Sequence, residues 1–142
     1  MNNAYNILFG GIDMSSEIFY LVLSTGLCLV LWLPYLIERI FNQGLIDTAG
    51  YPEKIAEPAK WAQRSKLAHS NMMENLPIFA VLIVCLNIIE ISNANTVLAA
   101  SIFFYARVAH AIVYTLGLPW VRTLAFVASW IANIILFINI IF

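Results

Sequence analysis

IFYLVLSTGLCLVLWLPYLI, residues 18–37, runs for twenty residues without an Asp, Glu, Lys or Arg. A helix rises about 1.5 Å per residue, so this run covers the roughly 30 Å hydrocarbon core of a bilayer. It has no basic stretch before it and no small-residue cleavage signal after it, which reads as a retained span and not as a signal peptide. Three further runs of the same character follow, at 68–91, 97–116 and 123–142. The second carries Glu74 and Pro77, the third carries Arg107 and His110, and the fourth has no charge. The expected fold is an all-α membrane protein, a four-transmembrane-helix bundle forming one domain over 1–142.

The composition of the whole chain agrees. Of 142 residues, 62% are hydrophobic and only 11% charged, with a mean hydropathy of +0.86. A water-soluble domain carries roughly a quarter of its residues as charged side chains. So much apolar surface needs lipid as solvent. The formal charge of −1 offers no basic excess for phosphates, which argues against a nucleic-acid partner. Cys28 and Cys85 both lie within apolar runs and read as small hydrophobes, so a disulfide scaffold is not expected.

Basic residues set the expected orientation. Arg39, Lys54, Lys60, Arg64 and Lys66 cluster between the first two spans, and Arg122 sits in the third connection. The N-terminus and the Ser92–Thr96 turn have none. By the positive-inside rule the loop at 38–66 is cytosolic and both termini are non-cytosolic. Gly44, Gly50, Pro52 and Pro58 make the first part of that loop irregular. Helical pattern resumes after Pro58, so the second helix is expected to extend several turns into the cytosol beyond the bilayer.

A charge inside a bilayer costs roughly 2.5–3.5 kcal/mol even on lenient scales, so each one implies a partner or a use. Phe103, Arg107, His110 and Tyr114 fall within about 60° on the third helix, and Arg64, Asn71 and Glu74 within about 80° on the second. His69 points about 140° away from Glu74 and reads as a headgroup-level polar residue. Asn133 reads as a hydrogen-bonding link between helices. Pro77 and Pro34 are expected to kink their helices. A Glu74–Arg107 ion pair would account for two of these groups. It leaves Asn71, His110, Tyr114 and Arg122 at the same depth unexplained, which favours a polar pocket facing the cytosol, cationic with one carboxylate.

The segments RSKLAHSNMMENLPIF (64–79) and RVAHAIVYTLGLPWVRTLAF (107–126) resemble the two most specific motifs of the MAPEG family, the membrane-associated proteins in eicosanoid and glutathione metabolism. The likeness covers nearly the whole chain and is greatest to bacterial members, which implies a bacterial inner membrane. It implies a homotrimer with glutathione as co-substrate, held between neighbouring subunits near the cytosolic face, and no metal. Asn71, Glu74, Arg107, His110 and Tyr114 fall on family glutathione-site positions, with Arg39 and Thr123 as further contacts. Arg122 falls where the prostaglandin E synthase relatives place the catalytic Arg near the glutathione sulfur. Leu67, Ser70 and Phe126 depart from the pattern, replacing an Arg, a second Arg or other polar residue, and a Tyr.

Glutathione chemistry fits these residue types. Two carboxylates need guanidinium or amide donors, the ammonium needs Glu74, and the sulfur needs a cation to become a thiolate. The expected function is a transferase or peroxidase taking a lipophilic small-molecule substrate from membrane lipids. A non-catalytic lipid-binding or scaffold protein is the alternative, favoured by Leu67 and Phe126. A proton-coupled exporter built on Glu74 fits poorly with three arginines at pocket level.

Overall fold

The computed structural model describes residues 14–142; residues 1–13, whose lack of basic side chains entered the orientation argument, lie outside the described part. Ser15 opens the first helix, its hydroxyl accepting from the Ile18 N–H at 3.3 Å and satisfying one of the orphan donors there. Helix α1 (Ser16–Val30) stops where Pro34 has no N–H for the Val30 carbonyl, and α2 (Leu33–Gln43) follows with the proline in its first turn. Leu31 and Trp32 between them keep right-handed helical dihedrals, so the chain runs on through Pro34 with a helical hydrogen bond missing. Together α1 and α2 form one apolar span of 28 residues, Ser16–Gln43.

Gly44, at φ 90°, turns the chain into the single-turn α3 (Leu45–Ala49). Helix α4 (Lys60–Ile88) has 29 residues, about 44 Å at 1.5 Å per residue, so it outruns the hydrocarbon core. Ala59 has no side chain to cap this helix. Glu38 of α2 does so instead, accepting from the Ala59 N–H at 2.7 Å, and the helix starts two residues beyond Pro58. Helix α4 continues through Pro77, where Met72 and Phe79 on either side are locked in the core. Asn93 and Thr96 close a capping box at the start of α5 (Ala94–Leu116), and Gly117 at φ 82° ends it. Helix α6 (Pro119–Ile141) starts at Pro119, so Arg122 lies within its first turn and does not open it.

Each of the four spans is long and apolar enough to cross a membrane, and the protein is an integral membrane protein. Helix α5 is central, packing on α1, α4 and α6. Lipid tails are as apolar as the side chains, so close packing must hold the helices together. Ala99, Ala100 and Ala132, almost wholly buried, let the backbones approach. Across the α4–α5 contact the Phe79 and Phe103 rings stack at 3.9 Å between centroids and 8° between planes. Phe103→Ala is expected to cost about 2–3 kcal/mol in a reversible denaturation series. The cavity remains, but part of the transfer penalty of a water-soluble core is absent.

Glu17 lies one residue before the span expected from the sequence, yet it is buried. Its carboxylate accepts from Thr96 Oγ1 at 2.6 Å and from Ser92 Oγ at 2.9 Å. It thereby ties α1 to the α4–α5 turn, where the dipole of α5 favours negative charge.

Candidate functional site

At the end of the bundle nearest α3, helices α4, α5 and α6 border an open cleft of about 280 Å³ lined by Asn71, His110, Tyr114, Arg122, Thr123 and Phe126. Its position follows from the turn Gly117-Leu118-Pro119. That turn reverses the chain so that the first turn of α6 faces the last turns of α5. The Arg122 guanidinium carbon lies 4.4 Å from the centre of the Tyr114 ring, a cation–π contact that holds the charge at the cleft wall. His110 meets Tyr114 edge-on at 5.4 Å between centroids. It is almost wholly buried, and its Nδ1 has no hydrogen-bond partner. Thr123 donates its hydroxyl to the Pro119 carbonyl at 3.0 Å, closing the first turn of α6.

Behind the cleft lies Arg107, only 1% exposed. Its Nη2 donates to Asn71 Oδ1 at 3.0 Å and its Nε lies 3.4 Å from the Met72 sulfur, while Nη1 has no partner. Arg107 therefore reaches the cleft through Asn71. Glu74 is exposed and makes no hydrogen bond among the described residues, so Glu74 and Arg107 do not meet in a direct ion pair. Arg39 is on a different face. It lines a cleft of about 460 Å³ with Lys66 and Ser70, and its Nε has no partner.

Two residues outside the expected site also find their places. His69 Nδ1 lies 3.0 Å from the Tyr35 hydroxyl, joining α4 to α2. Asn133 is buried with its Oδ1 unpartnered, so the expected link between helices is not formed. Among the described residues no three His, Cys, Asp or Glu side chains gather at one point.

Arg64 shares the helical stripe of Asn71, and spacing alone assigns it no partner. Its Nε donates to the Thr115 carbonyl at 2.9 Å, capping the C-terminus of α5 one residue beyond Tyr114. A Cβ on Gly117 would lie 3.1 Å from Arg64 Nε and would also have to adopt the left-handed backbone. The available signal was an Arg facing the Gly that ends a helix. Gly117→Ala is expected to cost about 1–2 kcal/mol from backbone strain alone, visible as a lower unfolding temperature.

Residues 19–142 match the sequence model of the MAPEG family. No curated protein and no solved structure gives a match. With four spanning helices in the described structure and a match over nearly its whole length, the chain belongs to the MAPEG family.

Proposed function

We propose that this protein is a membrane glutathione transferase or peroxidase, taking glutathione from the cytosol and a lipophilic electrophile or lipid hydroperoxide from the bilayer. The observation that carries this reading is the Arg122 guanidinium, held against Tyr114 beside His110 and Asn71 in one cleft. A cation held in place beside a bound thiol is what the thiol needs to become a thiolate. Asn71, backed by Arg107, and His110 offer donors to the glutathione carboxylates. Tyr114 and Thr123 complete the contacts, and Glu74 accepts from the ammonium.

A cleft of about 280 Å³ falls just below the roughly 300–1,000 Å³ of ligand pockets. Arg39 lines a separate cleft, and Glu74 is exposed. Both features support a homotrimer in which the Arg39 face of one subunit completes the Arg122 cleft of the next. MAPEG members include glutathione transferases and peroxidases. In the transferase reaction the thiolate attacks the electrophilic carbon and the leaving group departs with the bonding pair. In the peroxidase reaction it attacks the terminal peroxide oxygen, the O–O bond breaks and the alkoxide leaves to take up a proton as the alcohol; a second glutathione thiol then attacks the sulfur of the resulting sulfenic acid, giving the disulfide and water. Holding thiolate and apolar substrate together contributes up to roughly 7–11 kcal/mol in well-oriented cases.

Purified protein in lipid should conjugate glutathione to an electrophilic aryl halide or reduce a lipid hydroperoxide. Neither activity, with glutathione still bound, would favour the non-catalytic alternative, which the apolar Phe126 in the cleft wall supports.

A further inference from the structure

A second cleft, of about 270 Å³, opens between α1 and α4, away from Arg122. Its walls are largely apolar: Leu29, Trp32 and Leu76. Three side chains with soft or borderline donor atoms line it, namely Cys28, His69 and Met73. Cys28 is 6% exposed, and its Sγ lies 3.2 Å from Met73 Sδ, an S–H···S contact joining the two helices. His69 precedes Met73 by one turn of α4, so both project from the same face. The His69 ring is already oriented by its contact with the Tyr35 hydroxyl at 3.0 Å.

We propose that Cys28, Met73 and His69 form a binding site for a soft monovalent cation, of which Cu(I) is the physiological example. Thiolate, thioether and imidazole are the ligands such ions prefer over Mg²⁺ or Ca²⁺. The charge balance also selects a monovalent ion. Cys28–SH loses its proton, Cys28 S⁻ bonds the cation, and the proton leaves to water, so the lipid-facing cleft gains no net charge. A divalent ion would leave a surplus charge in an apolar cleft, at the cost described for buried ions. The proton between the two sulfurs stands where the cation goes. Metal–sulfur bonds of about 2.3 Å require the sulfurs to part by roughly half an ångström for an open angle. Met73 is 54% exposed and unbranched, so it can move.

His69 supplies the third donor through Nε2. Its Nδ1–H then donates to the Tyr35 oxygen, the second-shell arrangement that fixes the tautomer of a metal-bound imidazole. None of these steps depends on glutathione, so this site stands or falls separately from the proposed function.

Anaerobic titration of the full-length, detergent-purified protein with Ag(I) and then Cu(I), against a competing chelator, tests the assignment. One ion per chain is expected, with sulfur and nitrogen neighbours in X-ray absorption. Cys28→Ser should abolish binding, Cys85→Ser should leave it unchanged, and Met73→Leu and His69→Gln should each weaken it at least tenfold. Helicity and elution volume verify that each variant is folded. Binding that survives Cys28→Ser, or that ignores both Met73→Leu and His69→Gln, would overturn the site.

Discussion

Arg122→Ala is expected to lose turnover while keeping most of its affinity for glutathione. A free thiol has a pKa of about 8.5, so roughly 7% is thiolate near pH 7.4. A cation lowering that pKa by about two units raises the fraction about twelvefold. Removing Arg122 forfeits that factor. It also strips the cation from the Tyr114 ring that fixes its place in the cleft, so the sulfur is both protonated and misplaced. Turnover should fall by more than about tenfold from protonation and approach background once misplacement is added. Affinity should change less, because the other contacts remain. The residual rate of the variant should climb as pH rises through about 8.5, where the free thiol ionises unaided. Unchanged turnover would move sulfur activation to another residue.

Arg107→Met carries the second large effect, and its two halves have opposite signs. Arg107 is enclosed, with one bond to Asn71, one to the Met72 sulfur and an unpartnered Nη1. Replacing an under-satisfied buried charge by an apolar residue of similar length is often neutral or stabilising. Thermal stability without ligand is therefore expected to hold or rise. Glutathione affinity should fall at least about tenfold, since Asn71 loses its charge-assisted partner and a carboxylate loses a nearby cation. A variant that unfolds would make Arg107 a structural brace. One that binds glutathione normally would remove it from the site.

The spans were legible because bilayer thickness imposes a long apolar run on any crossing helix, and residues 18–37 satisfy it on sight. Helix ends were less legible. Glu38 caps α4 from another helix, so the start at Lys60 follows from a contact between residues 21 positions apart. Pro34 and Pro77 read alike in sequence. Exposed Pro34 leaves a hydrogen bond missing where α1 meets α2, while Pro77 sits in a helix clamped by core residues on both sides.

In the site, helical spacing suffices to bring Asn71, His110, Tyr114, Arg122 and Thr123 to one cleft, because each helix presents one face to its neighbours. It cannot tell how deep a side chain lies behind that face. Arg107 shares the stripe of His110 yet is sealed behind Asn71. Arg64 shares the stripe of Asn71 yet caps α5, because the turn at Gly117 comes within its reach. Arg39 looks like a pocket residue by depth, and its place in a different cleft, with Lys66 and Ser70, emerges only once the helices are packed.

The most direct measurement is titration of glutathione into the detergent-purified protein, followed by ultraviolet absorbance of the thiolate. The account predicts a saturable thiolate signal near neutral pH, absent in Arg122→Ala, with protection against thermal unfolding as the site fills. Saturating glutathione that produces neither thiolate absorbance nor protection would contradict it.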